Sequence, residues 1–225
     1  MNTIKILKQL NFIFCKKVDN EIIIHMPSFI KNKIKKLPED KIPIIIAGGS
    51  FNAKNRVTQT TEAGIQMLEE LIQKIDNKKV YFVIGHKMEG YEKAIIDISK
   101  KLHKKFEVCA IIPKMISTEE ANKLMDTAIT GIRISTENEG LGIYKSFNYE
   151  IFERRSSVVI AFDGNSPVSN LIQEAKNGKG KAKIYVNEDN YNLRVKAKTL
   201  QGYVTSFKMG DNIINKILED NIELI

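Results

Sequence analysis

Apolar residues fall along this chain in two rhythms that take turns. Unbroken runs such as Ile44-Ile45-Ile46-Ala47, Val80-Tyr81-Phe82-Val83-Ile84 and Val158 to Phe162 have the composition of strands covered on both faces. Between them apolar positions recur every three or four residues, as at Ile65, Leu68, Ile72 and Ile75, or Ala94, Ile95, Ile98 and Leu102. That is the stripe of a helix with one buried face. The spacing predicts strands over 44–47, 79–84, 106–112, 131–134, 157–162 and 181–186. Helices are predicted from about Thr60, from Gly90, from Ser117 to about Met125, from Leu141 to Arg155 and over 167–177. Strand and helix in alternation pack as a Rossmann-like three-layer α/β/α domain with a mainly parallel sheet.

The ends are less regular. Residues 1–41 read as an N-terminal extension holding a short strand at Glu21 to His25 and a basic helix from Ser28 to Lys36. Residues 42–187 form the Rossmann-like domain. Residues 188–225 read as a C-terminal extension packed on it, with a strand or hairpin over Tyr191 to Phe207 and a helix over Asp211 to Glu219.

Composition changes the picture little. The 225 residues, 43% hydrophobic, suffice for a full core. Lys+Arg 35 against Asp+Glu 27 gives a formal net charge of +8, a mild field that favours phosphate-bearing partners. Cys15 and Cys109 lack metal-ligand spacing and suit reduced core thiols. The apolar run at Phe12 to Cys15 is too short for a signal peptide and no stretch could span a membrane, so a soluble, cytoplasmic protein is expected.

Candidate chemistry lies where the strands stop. Three end in small, polar turns: Gly48-Gly49-Ser50, Gly85-His86-Lys87-Met88-Glu89-Gly90 and Asp163-Gly164-Asn165-Ser166. In an open parallel sheet such turns meet beyond the carboxyl ends of the strands, where ligands bind. Glycine admits close backbone approach, and each turn feeds or approaches a helix N-terminus, a natural seat for an anion. In the third turn Ser166 is read as N-cap and Pro167 as the first helical residue. None of the turns is a Walker A loop or Gly-x-Gly-x-x-Gly, which argues against a classical NTPase or dinucleotide dehydrogenase.

The order Ile-Ile-Ile-Ala-Gly-Gly-Ser (44–50), Val-Ile-Gly-His…Gly-Tyr-Glu-Lys-Ala-Ile (83–95) and Tyr-Glu-Ile-Phe-Glu-Arg-Arg-Ser-Ser-Val-Val-Ile-Ala-Phe-Asp-Gly (149–164) resembles the SLOG superfamily. That group is named for the DNA-processing protein SMF/DprA and the cytokinin-activating LOG phosphoribohydrolases. The resemblance covers about 42–187 and implies a Rossmann-like sheet that binds a nucleotide or nucleotide-derived ligand, in some relatives a signal. LOG enzymes carry Pro-Gly-Gly-x-Gly-Thr-x-x-Glu at the third turn and an Arg on the preceding helix. Here Leu171 falls on the carboxylate position and Asn148 near the Arg position, so the LOG catalytic pair is missing.

The ligand-binding candidates are therefore Gly48, Gly49, Ser50, Arg56, Gly85, His86, Glu89, Gly90, Asn148, Asp163, Gly164, Asn165 and Ser166. Glu92 joins Glu89 as a partner for ribose hydroxyls, and His86 for a phosphate or a base. No metal or cofactor is expected. The expected function is binding of a nucleotide or nucleotide-derived ligand at the carboxyl edge of the sheet, without LOG-type catalysis. Two alternatives stand beside it. One is hydrolysis of an N-glycosidic bond, as in LOG enzymes or nucleoside deoxyribosyltransferases, with Glu137, Glu139 or Glu174 as carboxylate. The other is DprA-like binding of single-stranded DNA through the net charge and Lys31 to Lys36. Whether the chain is an enzyme, which ligand it takes and whether it forms homo-oligomers stay open. The substitution Gly164→Val is expected to remove ligand binding and spare the fold.

Overall fold

Ile44 and Ile46 point to one side of a strand and Ile45 and Ala47 to the other, and all four are buried, as an interior strand between two helical layers requires. The structure is a computed structural model that describes residues 15–18, 21–24, 32–34, 36–48, 60–112, 118–126, 128–134, 151–153 and 155–225.

A two-stranded antiparallel ribbon, β1 (Cys15–Val18) and β2 (Glu21–Ile24), stands apart in sequence from the main sheet. The main run is β3 (Ile42–Ala47), α1 (Glu62–Lys74), β4 (Val80–Gly85), α2 (Gly90–Lys101), β5 (Glu107–Ile112), α3 (Thr118–Lys123) and β6 (Gly131–Ile134). It continues with β7 (Val158–Ala161), α4 (Ser166–Asn177), β8 (Lys183–Asn187), α5 (Tyr191–Thr199), β9 (Thr205–Phe207), α6 (Ile213–Asp220) and a 3₁₀ turn (Ile222–Leu224). The sheet has seven strands in the order β6-β5-β4-β3-β7-β8-β9, and every pairing is parallel.

The chain walks outward from β3 to β6, returns to pair β7 with the free side of β3, and walks out the other way to β9. Helices follow suit. Residues of α1, α2, α3 and α6 share one core with Ile44, Ile46, Phe82 and Ile84. Residues of α4 and α5 share the other with Ile45, Ala47, Tyr81 and Val83. This is the doubly wound arrangement, and its switch point lies between β3 and β7.

Local rules explain the elements. Thr61 caps α1 by accepting from the Gly64 N–H at 3.0 Å, Glu62 opens the helix and Lys74 closes it, in keeping with the helix dipole. Leu68, Leu71 and Ile72 are fully buried, each contributing roughly 1.5–3 kcal/mol. The region expected to be a strand or hairpin, Tyr191 to Phe207, starts instead with α5, because the Asn190 side chain accepts from the Leu193 N–H at 3.0 Å and nucleates a turn; only Thr205–Phe207 is extended. The cap of α4 is Asn165, one residue before the expected Ser166. Of the helix expected over 141–155, only 151–153 and 155 lie among the described residues, with Ile151 and Phe152 buried. Ser117 lies outside them.

Candidate functional site

At the switch point, backbone meets backbone. The Phe162 N–H donates to the Ala47 carbonyl at 2.9 Å, and the Tyr91 N–H to the Gly48 carbonyl at 3.1 Å. Gly48 has φ +128°, and a Cβ on it would lie 2.9 Å from Tyr91 Cδ2 and 3.0 Å from the Asp163 amide nitrogen. Only glycine suits that conformation and that gap. The turns after β3, β4 and β7 thus converge on one rim.

Tyr91, to which the sequence pattern assigns no role, is the post they lean on. It is 1% exposed and stacks on Phe162 with ring centroids 4.6 Å apart. Its hydroxyl accepts from the Thr61 N–H at 3.0 Å, fixing the start of α1. The signal that could have found it is the glycine on each partner: Gly64 has no room for a Cβ beside the Tyr91 hydroxyl.

In the third turn Gly164 has φ +153°, and a Cβ there would overlap Val168. Gly164→Val therefore cannot spare the local fold, contrary to the expectation above. Asn165 makes no side-chain capping bond and α4 has no acid in its first turn, which leaves early amide donors for another acceptor. Asp163 is held by the Asn190 side-chain amide, and Asn187 Nδ2 donates to the Phe162 carbonyl at 2.9 Å.

The second turn is strained as well, with φ +50° at Met88 and +56° at Gly90. Three carboxylates and a histidine gather around it. His86 is 8% exposed; its Nε2 lies 3.3 Å from Glu120 Oε1, and its Nδ1 is buried without a hydrogen-bond partner among the described residues. Burial pushes the imidazole below its usual pKa, with Lys87 acting the same way, while Glu120 and Glu89 oppose. Glu92, in the first turn of α2, is only half-buried by surface yet crowded by protein, as in a re-entrant corner. Loss of solvation and, less, the Glu89 charge push its carboxyl up to about 7, although it accepts a hydrogen bond from the Gly85 amide. Glu89 is exposed and bound by Lys123 at 3.2 Å.

Gly48, Gly85, His86, Glu89, Gly90, Asp163, Gly164, Asn165 and Ser166 thus belong to the three strand-end turns. Gly49, Ser50, Arg56, Glu137, Glu139 and Asn148 lie outside the described residues. Glu174 does not join the rim: it is exposed in the third turn of α4, about 12 Å along the axis from the first residue. Lys33 is also spent, donating to the Leu124 and Asp126 carbonyls at 2.9 and 2.7 Å, so it is not the phosphate contact considered for the basic segment. Among the described residues no three histidine, cysteine or acidic side chains gather as a metal site, and no helix is long and apolar enough to cross a membrane.

No protein-family model matches the chain, and no curated protein does. Solved structures do. A molybdenum cofactor carrier protein from Chlamydomonas reinhardtii superposes with TM-score 0.53 at 13% identity, over 80% of this chain and 97% of that one. A second structure of it gives 0.52 at 14%, over 82% and 99%. DNA processing protein A from Helicobacter pylori, described by its single-stranded DNA binding mode, gives 0.47 at 14%, over 81% and 82%. At these identities the carrier protein shares the fold.

Proposed function

We propose that this chain binds a nucleotide or nucleotide-derived ligand across the switch-point rim, with phosphate on the Gly48 and Gly164–Ser166 turns and the rest of the ligand toward the Gly85–Gly90 turn. The observation that carries this is the approach of Gly48 to Tyr91 and Asp163, joined to Tyr91 by a backbone hydrogen bond and too close to either for a Cβ, which brings three turns and the start of α4, whose Asn165 cap makes no side-chain bond, to one edge. The SLOG resemblance and the name of the carrier protein, a ligand holder in its own right, agree with a binding role.

The test is a thermal-shift series with AMP, ATP, cyclic AMP and inorganic phosphate on wild type and Ser166→Glu. Ser166 is exposed at the first position of α4. A carboxylate there favours the helix dipole and repels phosphate, so stability holds or rises while the ligand-induced shift falls. A full shift in the variant contradicts the placement.

A second reading is favoured by Glu92 alone. A carboxyl with a pKa of about 7 beside the rim suits general acid–base work, and would replace the missing LOG carboxylate in cutting an N-glycosidic bond. Release of free base from nucleoside monophosphates, abolished by Glu92→Gln, would support it; unchanged nucleotide after prolonged incubation excludes it for those substrates.

A further inference from the structure

At the opposite edge of the sheet, on the α2 side, lies a cavity of about 450 Å³ between the end of α2, the start of β5 and the approach to β6. That volume falls in the range of ligand pockets, about 300–1,000 Å³. Its lining divides by chemistry. Ile96 and Phe106, both buried, and half-buried Ala128 give an apolar side, while Lys100, His103, Lys104 and Lys105 give a basic one; among the described residues no carboxylate lines it. Two of the four basic groups are committed, Lys100 to Asp126 at 2.7 Å and Lys104 to the carbonyls that end α1. His103 and Lys105 are exposed, and their side chains have no hydrogen-bond or ionic partner among the described residues. His103 is also held in an uncommon backbone. The end of α2 is a Schellman motif, with the His103 N–H donating to the Lys100 carbonyl at 3.1 Å and the Lys104 N–H to the Ser99 carbonyl at 3.0 Å, and its left-handed residue is His103, with φ +53°. Glycine is the usual occupant of that position because a Cβ is disfavoured there. A histidine kept beside a cavity against that preference points to work for its ring.

We infer that this cavity is a second ligand site, separate from the switch-point rim, and that it takes a monocarboxylate with an apolar body, the carboxylate on His103 and Lys105 and the body against Ile96, Phe106 and Ala128. One free ammonium and one ring N–H match a single negative charge. The apolar side gives water few partners, and a small inorganic anion would leave most of the volume unfilled. A cationic amphiphile meets four basic groups and no carboxylate.

The experiment is calorimetric titration of the full chain with decanoate, decan-1-ol, decyltrimethylammonium and inorganic phosphate, in wild type, His103→Gly, Lys105→Gln and Ala128→Phe. Wild type prefers decanoate to the other three by about tenfold or more. His103→Gly and Lys105→Gln each weaken decanoate by about fivefold, and Ala128→Phe, which fills the apolar side, weakens it more. His103→Gly unfolds at the same temperature as wild type or higher, since glycine suits the left-handed position, so its loss of affinity is not a loss of fold. In ¹⁵N spectra decanoate shifts the amides of His103 to Phe106 and of Ala128 and leaves Gly48 and Gly164 in place. Any of the other three probes binding as well as decanoate, undiminished affinity in His103→Gly and Lys105→Gln, shifts at the rim instead, or no saturable binding of decanoate overturns the site. No nucleotide enters these titrations, so every outcome is independent of the nucleotide-binding reading.

Discussion

The two edges of the sheet use their polar groups differently. At the amino edge polar groups are consumed by the fold. Lys104 caps the end of α1 by donating to the carbonyls of Ile72, Gln73 and Ile75, Lys79 reaches the Ile225 carbonyl, Lys41 pairs with Glu107 at 2.5 Å, and Thr130 both donates to and accepts from Val108. The Ser157 and Ser99 hydroxyls, buried without a hydrogen-bond partner among the described residues, and the positive φ of His103 and Lys181, at +53° and +58°, are exceptions. At the carboxyl edge the chain keeps left-handed backbone at Gly48, Met88, Gly90 and Gly164, a His86 Nδ1 unpartnered among the described residues and a Glu92 that holds its proton near neutrality. Strain and unmet hydrogen bonding persist where structure serves something other than stability.

Substitutions that ask each edge to change its habit separate the two. The largest effect is expected at Gly164→Val, where positive φ and overlap with Val168 combine; unfolding in urea should show a loss of about 3–5 kcal/mol. Gly202→Ala, with φ +86° but open space around it, should lose only about 1–2 kcal/mol, the cost of the backbone alone. Equal losses would mean that the rim is not tightly built.

Next comes the amino edge: Lys104→Met leaves three helix-end carbonyls without their donor and should cost about 1–3 kcal/mol by the same assay. A neutral result would show that water replaces the lysine freely and that this edge is less committed than described.

Glu92 then sharpens the contrast through pH. Its folded pKa of about 7 lies above the ordinary carboxyl value of 4.5, so between those values the native state keeps a proton that the unfolded chain has lost, and stability falls as pH rises through the window. Glu92→Gln keeps an acceptor for the Gly85 amide and removes that fall, gaining on the order of 1–3 kcal/mol over wild type at pH 8 and little at pH 4.5. Parallel pH profiles for the two proteins would refute the strained corner. The smallest effect is expected for Tyr91→Phe, which keeps the stack on Phe162 and loses the bond to the Thr61 amide, at about 1 kcal/mol.

Much of this architecture was legible because periodicity reports burial. Ile44 to Ala47 and Val158 to Ala161 read as interior strands, and they pair with each other at the switch point. The strand-end glycines marked the rim for the same reason, since Gly48 and Gly164 stand where no side chain fits. What stayed hidden depends on contacts distant in sequence. Nothing local distinguishes Tyr91 from an ordinary helical tyrosine until Phe162 and Thr61 arrive beside it. The partner of His86 Nε2 is Glu120, 34 positions later. Tyr191 to Thr199 lacked a strong apolar stripe, so its helix rested on the Asn190 cap and on packing of Leu193 and Ala197. Lys33 looked like a free basic residue because the carbonyls it caps belong to the segment after α3.

The most direct test of the central claim, that three turns form one ligand-holding edge, is an amide NMR titration of the ¹⁵N-labelled chain with AMP. The account predicts concerted shifts at Gly48, Gly85 to Gly90 and Asp163 to Ser166, with Lys104, Thr130 and Lys183 at the far edge unmoved. Shifts confined to the far edge, or to one turn without the other two, would contradict it.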